Sequence, residues 1–264
     1  SVKKQGKIKF TDGKSHKVKY EVYDIYGNKS VVSFNLKHNP KMEKVIADVD
    51  NSKSYVELNY NSSNVIEYDE MKIEFKDSTF YEDLSIPISS KKSHLFQSNL
   101  YSVNQKYVPV HKYFALMIKA SRVSDKHKSK ALIAKINENN IAKPLGGTFE
   151  NDYIKANVRE LGDFAIILDT VAPKLKALNL YENKSITNGY NIIFMATDNL
   201  SGIDSYSAYI DGEWILANYK PRKNTVTINA EEMKRIKPGL HELKLVVLDE
   251  RKNESVIKLN FKLL

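Results

Sequence analysis

Apolar and polar residues alternate in two runs, His241-Glu-Leu-Lys-Leu-Val-Val-Leu-Asp249 and Glu254-Ser-Val-Ile-Lys-Leu-Asn-Phe261, with Glu-Arg-Lys-Asn253 between them. A short polar segment separates the runs, which predicts an antiparallel β-hairpin. The same pattern stands 225 positions earlier, the offset from His16 to His241. The identical polar positions are His16 and His241, Asp24 and Asp249, Asn28 and Asn253, and Ser30 and Ser255. Because the apolar alternation also stays in phase, we interpret the two stretches as an internal repeat.

The two copies differ in what precedes them. About seventy residues of strand-like sequence lead into the C-terminal copy, enough for the rest of a β-sandwich. Only about fifteen residues lead into the N-terminal copy, and a hairpin that short buries too little apolar surface to fold alone. We therefore expect the chain to begin partway through a domain and to be the tail of a larger protein.

The remaining sequence predicts an all-β protein of tandem Ig-like β-sandwich domains, the first one incomplete. Short alternating runs recur every ten to fifteen residues or so with turn residues between them, as in sandwich domains. The strands predicted before the C-terminal hairpin are Lys7–Phe10, Val18–Val22, Ser30–Leu36, Ser54–Leu58, Asn64–Tyr68, Met71–Phe75, Leu84–Ile88, Tyr101–Val103, Tyr113–Lys119, Ala131–Ile136, Tyr153–Val158, Gly162–Leu168, Lys174–Leu178, Tyr190–Ala196, Ile203–Ile210, Glu213–Leu216 and Thr225–Ile228. Only Ala230–Ile236 has a helical pattern, long enough for one or two turns. We expect the C-terminal strands of a truncated Ig-like domain at residues 1–39, a middle β-sandwich at 40–170 and a C-terminal Ig-like β-sandwich at 171–264, with a stiff connector at Asp169–Lys174.

Composition excludes several classes of function. The chain has no cysteine, which excludes a disulfide framework, a thiol nucleophile and a thiolate metal site. No run of apolar residues is long enough to predict a membrane span. The net charge of +9 comes mainly from scattered lysines that alternate with apolar residues. A solvated lysine-rich surface accounts for this pattern; the alternative is a basic surface for an anionic polymer such as glycan, lipopolysaccharide or nucleic acid.

The histidines do not have metal-ligand spacing. None of the six forms a His-x-His or His-x-x-x-His pair, so we expect no zinc site in this chain. His16 and His241 occupy the same position of the repeat, which favours a structural role for both. The six histidines are His16, His38, His94, His111, His127 and His241.

Three further stretches contain residue types that also occur in binding sites. Asp198-Asn-Leu-Ser-Gly-Ile-Asp204 has oxygen ligands that suit Ca²⁺, but its composition is also that of an ordinary turn. Trp214 follows a predicted turn at Asp211-Gly, and a core position is favoured over a sugar-binding platform. Gly146-Gly147 lacks the strand-to-helix context of a phosphate loop. We predict no catalytic, cofactor-binding or metal residue in this chain.

Several of these stretches resemble the region that follows the catalytic domain in lysostaphin/LytM-type zinc metallopeptidases (peptidase family twenty-three) of Bacteroides- and flavobacterium-like bacteria. The stretches that carry the resemblance are Asp12–His16 with Asp24–Ser30, Leu161–Pro173, Asp198–Ser205 with Ile210–Leu216, and the His241 hairpin. In that family a His, an Asp and a His-x-His motif hold the zinc, and none of these motifs is present here. The resemblance therefore implies zinc only in an absent peptidase domain, and no catalytic residue transfers to this chain.

The resemblance implies a non-catalytic accessory region of a cell-envelope murein endopeptidase, in the periplasm or on the cell surface, that positions or docks the peptidase domain. Its expected partners are that upstream domain and envelope proteins or peptidoglycan; nucleic acid is not expected. The alternative is a glycan-binding β-sandwich module that contacts peptidoglycan or lipopolysaccharide. A third hypothesis is an enzyme with a cryptic carboxylate site in the middle domain.

Overall fold

The computed structural model describes residues 12–37, 54–103 and 108–264. Two compact units divide the chain, Ser1–Lys53 and Ser54–Leu264. Strands dominate both units, and the all-β prediction is confirmed. The predicted strand Lys7–Phe10 and the domain boundary predicted after residue 39 lie outside the described residues.

The described part of the first unit, residues 12–37, forms a hairpin of β1 (Ser15–Tyr23) and β2 (Lys29–Lys37). Asp24 organises its turn: the N–H groups of Tyr26 and Asn28 both donate to Asp24 Oδ1 over 2.9 Å, and Asn28 Nδ2 donates to Oδ2 over 2.7 Å. These hydrogen bonds lower the pKa of Asp24, the side-chain amide of Asn28 being the largest cause. The turn therefore depends on an ionised aspartate.

The second unit begins with a sandwich of two antiparallel sheets, which we call the middle sandwich. Its apolar residues face inward by strict alternation, as in Met71–Phe75, where every second residue is buried. Phe75, Phe114 and Phe164 fill the core, with the rings of Phe75 and Phe114 4.7 Å apart. One sheet has the order β10-β9-β13-β7-β6-β3 and the other β11-β12-β8-β5-β4. The strands are β3 (Ser54–Leu58), β4 (Asn64–Tyr68), β5 (Met71–Phe75), β6 (Leu84–Lys91), β7 (Leu100–Val103), β8 (Phe114–Lys119), β9 (Ala131–Ile136), β10 (Ala142–Gly146), β11 (Thr148–Glu150), β12 (Tyr153–Val158) and β13 (Gly162–Leu168).

A second, separate core lies in the C-terminal sandwich. Phe194, Leu245 and Phe261 are fully buried between its sheets. The sheets have the orders β14-β16-β20-β19 and β15-β22-β21-β17-β18, and β15 pairs with β22 in parallel. The elements are β14 (Lys174–Ala177), β15 (Lys184–Ile186), β16 (Ile192–Thr197), β17 (Ile203–Ile210), β18 (Glu213–Ile215), β19 (Ala217–Lys220), β20 (Thr225–Ile228), α1 (Ala230–Met233), β21 (Gly239–Asp249) and β22 (Glu254–Leu263).

The repeat predicted from the sequence is confirmed at the level of single hydrogen bonds. Asp249 Oδ1 accepts the N–H groups of Arg251 and Asn253 over 2.8 Å, and Asn253 Nδ2 donates to Oδ2 over 2.7 Å, as Asn28 does to Asp24. The strand register is also the same, since the pairs from Ser15↔Lys37 to Tyr23↔Lys29 recur 225 positions later. Burial distinguishes the copies: Asp249 is fully buried, whereas Asp24 is exposed.

Polar contacts from the hairpin β21–β22 hold the two sandwiches of the second unit together. The Arg251 guanidinium donates to the carbonyls of Ala131 and Gly147 over 3.1 and 2.9 Å, and Lys130 Nζ donates to the Arg251 carbonyl over 2.7 Å. Asn253 Nδ2 donates over 3.0 Å to the carbonyl of Asp169, the first residue of the connector. The hairpin that closes the C-terminal sandwich therefore also fixes the junction.

Candidate functional site

A groove of about 400 Å³ lies at one end of the C-terminal sandwich, between the β17–β18 turn and the segment after α1. Its wall combines an indole with acidic, basic and imidazole groups. The polar and aromatic residues that line it include Asp211, Glu213, Trp214, Glu232, Arg235 and His241.

The β17–β18 turn sets the position of Trp214. Asp211 and Gly212 both have positive φ, 53° and 84°, as a two-residue type I′ hairpin requires. In the register that follows, Ile215 pairs with the buried Ala208 and faces the core. Trp214 must face the opposite way, and its side chain is 64% exposed. The core position favoured from the sequence is therefore wrong, because the register set by the turn points Ile215, and not Trp214, toward the core.

Asp211 and His241 form a fixed polar pair in the wall of the groove. His241 Nδ1 lies 2.6 Å from Asp211 Oδ2, and Nε2 lies 2.8 Å from the carbonyl oxygen of Lys237. Both partners are acceptors, so the contacts are complete when both ring nitrogens carry a proton. The His241 hydrogen bond is the largest cause lowering the pKa of Asp211, and the Glu242 N–H, which donates to Oδ1 over 2.8 Å, adds to it.

The rest of the groove carries mixed charge. Glu232 Oε2 pairs with the Arg235 guanidinium at 3.3 Å, with the Glu232 side chain 12% exposed and that of Arg235 78% exposed. An exposed indole beside hydrogen-bonding groups of both signs suits a hydroxyl-rich ligand with apolar faces. A pyranose ring is such a ligand.

The histidines show local partners. His16 Nε2 lies 2.7 Å from Asp12 Oδ1, and His111 Nδ1 lies 3.0 Å from the Tyr81 hydroxyl. His127 Nδ1 lies 3.2 Å from Ser124 Oγ. Among the described residues, no histidine belongs to a group of three potential metal ligands. His94 is exposed, and His38 lies outside the described residues.

Asp198 and Asp204, the two ends of the loop whose oxygen ligands suit Ca²⁺, have different partners in the structure. Asp204 Oδ2 pairs with Lys252 Nζ at 2.5 Å, and this contact lowers the pKa of Asp204. Asp198 instead lies beside Asp169 and Asp249, with one carboxylate oxygen of each within 4.8 Å of the others. No local motif predicts this grouping, and its one signal in the sequence is the repeated aspartate at position 249.

Two other candidates have structural explanations. Gly147 has a φ of 127°, and a Cβ there would stand 2.8 Å from Ile154 Cγ2, so close packing accounts for this glycine. A second groove, of about 570 Å³, lies on the middle sandwich beside Val65 and Tyr113. Among the described residues that line this groove, Glu74 is the one carboxylate. An enzyme that uses a pair of carboxylates would need a second acid there, so the groove does not support that hypothesis.

Comparisons with known proteins give one family and distant structures. The family model described as the Zu5-like domain matches residues 56–169, the span of the middle sandwich. Comparison with curated proteins gives no match. Fibronectin(III)-like modules of Clostridium thermocellum CbhA are 14% identical, with a TM-score of 0.28, covering 58% of this chain and 85% of theirs.

Two further solved structures are similarly distant. An endo-β-1,4-mannanase from Thermotoga petrophila is 11% identical with a TM-score of 0.32, and the match covers 36% of this chain and 20% of the mannanase chain. The extracellular domain of a putative one-component system from B. thetaiotaomicron is 14% identical with a TM-score of 0.25, covering 93% of this chain and 36% of that one. Within the described residues, no helix has the length and apolarity needed to cross a bilayer.

Proposed function

We propose that this chain is a non-catalytic binding module of the bacterial cell envelope, and that the groove beside Trp214 binds glycan. The observation that carries the proposal is the exposed indole, which lies on β18 just after a type I′ turn and beside carboxylate, guanidinium and imidazole groups. A sugar ring stacks its C–H face on the indole while its hydroxyls exchange hydrogen bonds with Asp211, Glu213 and Arg235. The net charge of +9 adds a general attraction to anionic envelope polymers.

Retention on insoluble peptidoglycan, measured across a salt series, tests this proposal. Specific binding through Trp214 persists at moderate salt, whereas attraction through scattered lysines is screened. Trp214→Ala removes the platform and is expected to weaken binding at least tenfold, as for a central aromatic contact. Tyr181→Ala is the matched control, because Tyr181 is 65% exposed and does not line the groove. Equal retention of the two variants would contradict the assignment of this groove as the glycan-binding site.

We further propose that the module accompanies a murein endopeptidase domain in the intact protein. The support is the resemblance carried by residues 161–173 and 198–216 together with the repeated hairpin. The purified chain is then expected to leave cell walls intact in a zymogram. A zinc-dependent clearing zone would contradict the non-catalytic assignment, and a reading frame upstream without a His-x-His motif would contradict the link to a peptidase.

A further inference from the structure

Three aspartates from three separate segments meet at the junction of the two sandwiches. Asp169 follows β13, Asp198 follows β16 and Asp249 ends β21. One carboxylate oxygen from each lies within 4.8 Å of the other two. Asp169 is 1% exposed and Asp249 is fully buried, so water does not screen these charges from each other.

One oxygen in this cluster has no partner. Asp198 Oδ2 accepts the N–H groups of Leu200 and Gly202 over 2.9 and 2.8 Å, whereas Oδ1 of the same carboxylate is fully buried and has no hydrogen bond. Ser201 Oγ, in the same loop, is also buried without a partner, while the Ser201 N–H donates to Asp169 Oδ2 over 2.9 Å. A buried carboxylate oxygen without a partner is costly, and this cost indicates a missing ligand.

No side chain in the described part of the chain forms an ion pair with the cluster. Lys252 pairs with Asp204 and Arg251 with Glu250, and no ion pair among the described residues includes Asp169, Asp198 or Asp249. Arg251 follows Asp249 closely in the chain, but its guanidinium donates to the carbonyls of Ala131 and Gly147. Two buried carboxylates and one partly buried carboxylate thus lie together without an ion-pair partner among the described residues, an arrangement that is stable when a cation sits among them.

We propose that Asp169, Asp198 and Asp249 bind one Ca²⁺ ion. Ca²⁺ takes oxygen ligands at 2.3–2.6 Å, so two oxygens on one ion stand at most about 4.6 to 5.2 Å apart. One carboxylate oxygen of each aspartate lies within 4.8 Å of the other two, which is close enough for all three to bind one ion. The ligand set contains no nitrogen or sulfur, which disfavours Zn²⁺. Three carboxylates from three segments suit the flexible, oxygen-rich coordination of Ca²⁺ better than that of Mg²⁺, which usually keeps several waters and one or two carboxylates.

The ion would act on the junction itself. It would join the connector at Asp169, the β16–β17 loop at Asp198 and the hairpin turn at Asp249, and so hold both sandwiches in one arrangement. Because the ion binds the folded state and the unfolded chain offers no assembled site, it also stabilises the fold.

Calcium titration of the EDTA-treated full chain tests the proposal directly. Isothermal calorimetry is expected to show one saturable Ca²⁺ site per chain, and the thermal midpoint is expected to rise by about 5 to 10 °C at a hundredfold excess over Kd. Asp198→Asn keeps an oxygen for the Leu200 and Gly202 N–H groups while removing one charge, so it is expected to fold and to lose the saturable heat. Asp204→Asn, in the same loop but paired with Lys252, is the control and keeps it.

The thermal midpoint of the calcium-free protein provides a second readout, which an aspartate with a role only in the turn would not change in the same way. In EDTA, Asp198→Asn relieves repulsion among the buried carboxylates, so its thermal midpoint is expected to exceed that of the unsubstituted chain; in Ca²⁺ the order reverses. No saturable heat and no shift of the midpoint at millimolar Ca²⁺ would overturn the proposal. A shift of equal size with Mg²⁺ at the same concentration would overturn the assignment to Ca²⁺.

Discussion

Asn253→Ala tests whether the second hairpin of the repeat fixes the junction. Asn253 Nδ2 makes two hydrogen bonds, to Asp249 Oδ2 over 2.7 Å and to the Asp169 carbonyl over 3.0 Å. A hydrogen bond to a charged group contributes about 1.5 to 3 kcal/mol and a neutral one about 0.5 to 1.5 kcal/mol. Because these contributions overlap in one network, we expect a loss of about 2 to 4 kcal/mol in the free energy of unfolding.

The repeat supplies the matched control. Asn28 makes the same 2.7 Å hydrogen bond, to Asp24, in the exposed copy and belongs to the other compact unit. Urea unfolding followed by the fluorescence of Trp214, the single tryptophan of the chain, reports on the second unit alone. We expect Asn253→Ala to lower the urea midpoint by about 1 M, given an m value of about 2 to 3 kcal/mol per molar. We expect Asn28→Ala to leave this transition in place.

A shift below about 0.5 kcal/mol for Asn253→Ala would refute the reasoning, since it would show that the two hydrogen bonds merely replace equivalent bonds to water. An equal shift for Asn28→Ala would refute it in a different way, because the Trp214 transition would then not report specifically on the contacts that Asn253 makes in the second unit. Both measurements are made in EDTA, so that any bound cation does not mask the loss.

Three further predictions concern other parts of the chain. Gly147→Ala is expected to destabilise the middle sandwich in thermal melts, because its Cβ would meet Ile154 Cγ2 at 2.8 Å on a backbone with positive φ. Phe164→Ala, at a fully buried position, is expected to cost about 3 to 5 kcal/mol in urea unfolding. Hydrogen bonding to His241 lowers the pKa of Asp211, so its stabilising effect is complete above the ordinary carboxyl range and lost as pH falls through the folded pKa. The difference in urea midpoint between the unsubstituted chain and Asp211→Asn should therefore shrink as pH falls below the ordinary carboxyl range, and a constant difference would contradict this.

Most of the strand pattern could be predicted because alternation survives wherever one face is buried. Met71–Phe75, Ala131–Ile136 and Ile203–Ile210 have the bounds expected from the sequence. The four strands that were missed all lie at sheet edges, where fewer residues alternate and pairing is one-sided. They are Ala142–Gly146, Thr148–Glu150, Lys184–Ile186 and Ala217–Lys220.

The functional residues were harder to predict, because their roles depend on the strand register and on contacts between residues that are far apart in the sequence. Trp214 lies two residues after the Asp211-Gly212 turn, yet whether it faces the core or the solvent depends on which of two adjacent residues pairs with Ala208. The acidic cluster brings together residues 169, 198 and 249, whose separation no local motif encodes. A local sequence pattern could associate Asp198 only with Asp204, and the Asp204 carboxylate pairs with Lys252 in the structure.

The repeat shows why turn chemistry and a metal site need not be alternatives. Asp24 and Asp249 make the same hydrogen bonds to the same positions of the same hairpin, so the turn accounts fully for the aspartate in both copies. What differs is the surroundings: Asp24 is exposed, whereas Asp249 is buried against Asp169 and Asp198. The turn orients a carboxylate in advance, and the junction of the two sandwiches adds the other oxygens. A cation site can thus arise from a structural motif without any change in the motif itself, and in this chain only the packing around the second copy points to one.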